Sequence, residues 1–143
     1  MLFRSSVLAR VRQLGSALAN GDTLGALMTH KSGANSLISA ILATPFCGRF
    51  AVYGSHGWAE VWDRSHPEAP QGWTVRTRLR GGEVETKEYP PMRAVLANLE
   101  AFADAVSGVA PYPVPHAQIR ATVCALEAVV RSAASGAVEK ISD

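Results

Sequence analysis

Cysteine is nearly absent: Cys47 and Cys124 are the only two in 143 residues. They lie far apart and form no C-x-x-C pair. That excludes a disulfide framework and a cysteine-based zinc site, and reduced thiols in a cytoplasmic protein are the expectation. No apolar run reaches the roughly 20 residues that a bilayer-spanning helix requires. Charge is scarce too, at 18% of residues, and the net +2 is spread along the chain, which argues against a nucleic-acid partner. No G-x-G pair occurs, so the glycine loop that lets a helix N-terminus meet a pyrophosphate is missing. The four histidines show no metal-ligand spacing and no H-E-x-x-H.

What is present suits an ordinary globular domain. The apolar fraction is 48%, and a chain of this length can bury a sizeable core without staples. Between Met1 and Gly21 there is no acidic residue, while Arg4, Arg10 and Arg12 alternate with serines and apolar groups. This composition resembles a mitochondrial transit peptide. The segment lacks a sustained helical apolar face, so the favoured reading is a short strand at the edge of the fold. In it Val7, Ala9 and Val11 alternate with Leu8, Arg10 and Arg12.

The front half reads as strands. Residues 23–31 and 34–44 flank the turn signal Ser32-Gly33 and pair as a hairpin. Both are apolar or small on both faces, so a central, doubly covered position is expected. A second hairpin surrounds Gly54-Ser55-His56-Gly57. If that loop sets the register, Tyr53 faces Trp58, Val52 faces Ala59, Ala51 faces Glu60, Phe50 faces Val61 and Arg49 faces Trp62. Alternation then gives a plain core face of Phe50, Val52, Ala59 and Val61. The opposite face, with Arg49, Tyr53, Trp58, Glu60 and Trp62, suits an interface or a ligand wall. A third hairpin, residues 73–80 and 83–89, flanks Gly81-Gly82. A two-residue turn there pairs Arg80 with Glu83, Leu79 with Val84 and Arg78 with Glu85. Arg76, Arg78 and Arg80 are then a charge-paired, solvated sheet face rather than an anion site.

The back half reads as helices. Pro90-Pro91 opens a helix whose Met92, Val95, Leu96, Leu99, Phe102, Ala103 and Val106 make one apolar stripe before Gly108. Pro111 to Pro115 runs extended. A second helix from about His116 is expected to turn Ile119, Val123, Leu126, Val130 and Ala133 inward and to stop at Gly136. A short strand, Val138 to Ile141, follows. Strands, then two helices, then a strand describe an α+β fold: an open, mainly antiparallel sheet with two helices packed on one face. The other face is left available for oligomerisation.

From Asp22 onward the chain resembles the C-terminal domain of the Gfo/Idh/MocA (glucose–fructose oxidoreductase and inositol dehydrogenase) family. The landmarks are Asp22-Thr23, Lys31-Ser32-Gly33-Ala34, Tyr53 to Glu60, Asn98-Leu99-Glu100-Ala101-Phe102 with Gly108, Leu126-Glu127-Ala128, Arg131-Ser132-Ala133 and Gly136. The resemblance implies a domain over residues 22–143 that supplies one wall of a substrate pocket and a subunit interface. It implies residues 1–21 as the remnant of a link to a nucleotide-binding domain missing here. It further implies an NAD- or NADP-dependent oxidoreductase acting on a sugar, cyclitol or similar alcohol. The cofactor belongs to the missing domain and none is expected on this chain alone. No Lys-Pro pair matches the family's catalytic lysine motif, so no catalytic residue carries over. The expected partners are further copies of the chain, or a separate Rossmann-domain chain; neither a membrane nor a nucleic acid is expected. The alternative is a non-catalytic assembly protein that uses the open sheet face to dimerise.

His30, Lys31 and His56 are the candidate substrate-wall residues, at a strand end, the adjoining turn and the glycine-bounded loop. Arg49, Tyr53, Trp58, Glu60 and Trp62 are the candidate interface. His116 is read as a helix start and His66 as loop. Cys124 falls in an apolar helix, a setting that argues against a nucleophile.

Overall fold

Period-two alternation in the front half and three-four spacing in the back half do become strands and helices. The computed structural model describes residues 4–142. The order is β1 (Arg4–Arg12), β2 (Thr23–His30), β3 (Asn35–Ile41), β4 (Arg49–Gly54), β5 (Gly57–Asp63), β6 (Trp73–Leu79), β7 (Glu85–Tyr89), α1 (Ala94–Val106), α2 (His116–Ser135) and β8 (Glu139–Lys140). Met1 to Phe3, the start of the segment weighed as a transit peptide, lie outside the described residues.

The α+β class with open antiparallel sheets holds, and among the described residues no sheet closes into a barrel. The strands are shared between two four-stranded sheets, ordered β3-β2-β1-β8 and β4-β5-β6-β7. Pro45, in the connection between β3 and β4, has no N–H to continue a ladder. The chain divides there into two units, one running to Thr44 and resuming at Pro113, the other Pro45–Tyr112.

In the first unit β1 lies between β2 and β8 rather than at an edge. Val7 and Ala9 of β1 face Met28 and Ala26 of β2 across the ladder, and all four are buried. The β2–β3 hairpin forms as expected, with Thr29 opposite Asn35. β3, however, is an edge strand and is almost wholly exposed, not central and doubly covered. The reason is the placement of α2, which packs on β1 and β8.

α2 is rotated from the expected setting. It buries Ala125, Ala128, Val129 and Ser132, while Ile119, Val123, Leu126 and Val130 are 42–63% exposed. Of the expected stripe only Ala133 packs against the core. Small side chains let the helix backbone come close to the sheet, and here that closeness outweighs burial of the larger groups. Gly136 stops the helix as expected, in a left-handed conformation (φ 73°) that a residue with a Cβ rarely adopts.

Two polar devices hold this unit together. Ser132 Oγ accepts from Ala9 N at 2.8 Å and donates to Ala137 O at 2.6 Å. The β1–β8 ladder stops at Val7 opposite Glu139, so the hydroxyl bridges the next missing rung. Asp22 closes the loop after β1. Its carboxylate accepts from Leu14 N (3.0 Å), Gly15 N (2.7 Å), Ser16 N (2.6 Å) and Thr23 Oγ1 (2.9 Å). The N–H of Leu14, then that of Gly15, hold its pKa far below the usual carboxylate range.

In the second unit α1 buries none of its residues, contrary to the expected buried stripe. Val95, Leu99, Phe102 and Val106 are 59–72% exposed. The extended linker folds back on it: Phe102 meets Tyr112 edge-on at 6.3 Å, and Tyr112 donates to Asn98 Oδ1 at 2.5 Å.

Candidate functional site

The second sheet carries the most organised polar cluster among the described residues. The Gly54–Gly57 turn sets the β4–β5 register read from the sequence, with Arg49 opposite Trp62, Ala51 opposite Glu60 and Tyr53 opposite Trp58. Arg49, Tyr53, Trp58, Glu60 and Trp62 therefore share one face. On the opposite face, expected to be a core, Phe50 and Val52 are 66% and 54% exposed, while Ala59 and Val61 are half-buried.

Glu60, not an aromatic ring, is the buried centre of the cluster. One of its oxygens accepts from Arg49 Nη2 at 2.8 Å, the other from Arg76 Nη1 at 3.1 Å. Each arginine also lies over a tryptophan, Arg49 Cζ 4.9 Å from the Trp62 ring centre and Arg76 Cζ 5.9 Å from that of Trp58. Arg49 Nη2 donates to Tyr53 Oη as well, at 3.3 Å. Charge-assisted bonds to a carboxylate are about twice as strong as neutral ones, and a half-exposed cation–π contact adds about 0.5–1 kcal/mol. The result is a pre-arranged strip of guanidinium and indole groups.

Sequence reasoning missed Arg76. The turn at Gly81-Gly82 is longer than the expected two-residue form: Gly82 N donates to Leu79 O at 3.0 Å, and Gly81 is left-handed (φ 78°). The ladder slips by one residue, so Thr77 faces Glu85 and Arg76 faces Thr86. A one-residue slip exchanges the faces of a strand. Arg78, expected opposite Glu85, instead donates from Nε to Gly82 O at 2.8 Å. Arg76 finds its carboxylate on the other neighbour, β5, where it faces Glu60. Only the β5–β6 register shows this, and the long loop between those strands hides it in the sequence.

The substrate-wall candidates fall in both units, His30 and Lys31 in the first and His56 in the second. His30 is buried (5% exposed), with Nε2 2.7 Å from Ser36 Oγ and Nδ1 buried without a hydrogen-bond partner. Lys31 is exposed in the adjoining turn. His56 belongs to the other unit, exposed in its turn, and its carbonyl accepts from Arg80 N at 2.9 Å. The first unit has an open cavity of about 390 Å³ lined by Val11, Asp22, Leu24 and Ile41, among others, but by neither His30 nor Lys31.

The residues present do not fit a dinucleotide. α1 follows Pro90 to Arg93 and α2 follows Pro115; neither helix opens from a glycine loop or has a side-chain cap. No hydride-transfer step is derived from this chain. Among the described residues there is no cluster of three or more potential metal-ligating groups, and no helix is long and apolar enough to cross a membrane.

No protein-family model and no curated protein matches the chain. Solved structures do. An aldose–aldose oxidoreductase from Caulobacter crescentus, complexed with glycerol, matches at a TM-score of 0.77 and 21% identity, over 97% of this chain and 42% of that one. The chain shares the fold of part of that oxidoreductase. An oxidoreductase from Agrobacterium radiobacter, in complex with NAD+, L-tartaric acid and magnesium, matches at 0.75 and 18% identity, over 97% and 44%. One from Pseudomonas syringae matches at 0.74 and 17%, over 99% and 46%. The domain thus spans less than half the length of each of these chains.

Proposed function

We propose that this chain is the substrate-side and assembly half of an NAD- or NADP-dependent oxidoreductase acting on a sugar, cyclitol or similar alcohol. The observation that carries the proposal is the shared fold, which covers nearly the whole chain, with proteins described as oxidoreductases, one of them bound to NAD+. In this reading Lys31 and His56, at exposed turns, and His30, behind the first of these turns, contribute to the substrate wall. Nucleotide binding falls to a Rossmann domain outside the 143 residues. The face bearing Arg49, Tyr53, Trp58, Glu60 and Trp62 joins copies of the chain. Trp, Tyr and Arg are the residue types that dominate binding energy at protein interfaces.

The second reading is a non-catalytic assembly protein that uses the same face. It draws support from the location of the best-ordered polar cluster, on an open sheet rather than in an enclosed cavity.

Mixing the purified chain with a separately expressed Rossmann-domain partner separates the two. NAD(P)H-dependent dehydrogenase activity present only in the mixture supports the first reading. Self-association without activity in any mixture supports the second. For assembly itself, sedimentation equilibrium should show an oligomer that Trp58→Glu dissociates. A monodisperse monomer at high concentration, unchanged by that substitution, refutes the interface.

A further inference from the structure

Ser36 and His30 stand on neighbouring strands, β3 and β2, and on one face of their sheet. Ser36 is opposite Met28, two residues along from His30. Its Oγ lies 2.7 Å from His30 Nε2. The serine is half-buried at the sheet edge, while the histidine behind it is 5% exposed and its Nδ1 has no hydrogen-bond partner. A hydroxyl bonded to an imidazole is the pairing that makes a serine nucleophilic. When Ser36 donates, the ring proton sits on Nδ1, and the Nε2 lone pair is aimed at the hydroxyl hydrogen.

The backbone beside Ser36 supplies a second element. His30 N donates to Ala34 O at 2.8 Å. Antiparallel rungs recur at every second residue, so Met28 and Ser36 exchange the next pair. The N–H groups of Asn35 and Leu37, on either side of Ser36, therefore point away from β2. β3 ends the order of its sheet, so no strand among the described residues meets them. Backbone N–H groups next to a nucleophile suit a carbonyl oxygen that gains charge, and the residue after the nucleophile commonly provides one.

We propose that Ser36 and His30 form a catalytic dyad that hydrolyses small activated carboxylic esters. Ser36 Oγ attacks the ester carbonyl carbon as His30 Nε2 takes its proton, and the carbonyl oxygen meets the Asn35 and Leu37 N–H groups. The carbon–oxygen bond to the alcohol then breaks, the alcohol leaves with that proton, and Ser36 keeps the acyl group. Water repeats the sequence and releases the carboxylic acid. Neither oxidant nor nucleotide enters, so this activity goes beyond the dehydrogenase reading. No carboxylate meets Nδ1, a partner worth up to about 10⁴ in rate to a serine triad. Turnover is therefore expected to be slow and the acyl-serine long-lived.

The test mixes the full chain with 4-nitrophenyl acetate, follows nitrophenolate release, and reads acid-quenched digests by mass spectrometry. Acetyl is expected on Ser36 at least tenfold above Ser39, an exposed serine of the same strand. A fluorophosphonate, which loses fluoride and stays on the serine oxygen, should tag Ser36 even if water clears the acetyl group before the quench. Ser36→Ala should remove the burst of nitrophenolate. His30→Gln, with an unchanged far-ultraviolet circular dichroism spectrum, should slow Ser36 labelling at least tenfold, since a general base contributes about 10²–10⁴-fold. A merely structural hydrogen bond would leave that rate unmoved, and an unmoved rate overturns the proposal. So does a Ser36-to-Ser39 ratio below tenfold with both probes. Should His30→Gln not fold, that ratio decides alone, tenfold or more supporting the dyad.

Discussion

Ser132→Ala should loosen the first unit by a predictable amount. Ser132 is fully buried, and its hydroxyl accepts the N–H of Ala9, itself 0% exposed. Removing the hydroxyl strands that donor where water cannot reach it. Ala137, the other partner, is exposed, so water can replace its lost bond. The cost is therefore close to one unsatisfied buried donor plus one modest hydrogen bond, about 2 kcal/mol within the usual 1–3 kcal/mol range. With a urea dependence of about 1–3 kcal/mol per M, the unfolding midpoint should fall by about 1 M. Hydrogen exchange offers a local check, since the Ala9 amide should lose protection before its neighbours in β1. Ser135→Ala is the control. Its hydroxyl bonds Ala137 N and Glu139 Oε1 at the surface, and the change should stay within about 0.5 kcal/mol. Equal midpoints for Ser132→Ala and the parent would refute the claim that this hydroxyl completes the ladder.

Asp22 should shape the acid limb of stability. Its pKa is lowered on folding, so its contribution is complete above the ordinary carboxylate value of 3.8 and is lost as pH falls through the folded-state value. Asp22→Asn should destabilise the chain at pH 7 and narrow its difference from the parent toward low pH. A constant difference down to pH 2, followed by urea midpoints, would contradict this. Gly57→Ala should cost about 2 kcal/mol or more, because φ is 151° and a Cβ would meet Arg78 O at 2.2 Å and Leu79 Cα at 2.9 Å. Gly54→Ala, with nothing nearer than 3.8 Å, should be close to neutral, and thermal melts of the pair decide the matter. On α2, Ala128→Leu should cost about 1–3 kcal/mol by overpacking, while Leu126→Ala should cost less than about 1 kcal/mol. The reverse order in urea titrations would mean the helix packs by its larger residues.

Local chemistry was legible in the sequence, and long-range pairing was not. The glycine-bounded turn at Gly54 and Gly57 gave the right partners for all of β4, and Gly136 marked the end of α2 to the residue. At Gly81-Gly82 the same kind of reasoning failed by one position. Two adjacent glycines permit more than one turn, and the one adopted bonds Gly82 back to Leu79. The partnership of Arg76 with Glu60 stayed hidden for another reason, the long loop between β5 and β6, although Glu60 had been placed on the right face. Helix orientation failed for a different reason. Apolar periodicity put Ile119, Val123, Leu126 and Val130 inside, but it weighs only transfer from water and not the closeness of backbones. The stripe of Ala125, Ala128 and Ser132, one residue round the helix, is the one that fits against β1.

The same rotation decides how this chain is stabilised. Its buried apolar set is Val7, Ala9, Ala26, Met28, Ala125, Ala128 and Val129, mostly small side chains. Phe50, Leu99, Phe102 and Leu126, each with far more apolar area, are 59–66% exposed. At about 25 cal/mol per Å² of apolar surface removed from water, a large share of the chain's available hydrophobic stabilisation is therefore still unspent in the isolated fold. Any body that covers those side chains adds to stability through mass action, without a change in the chain's own contacts. If copies of the chain associate over these side chains, the unfolding midpoint should rise with protein concentration, and a midpoint independent of concentration would refute such an association.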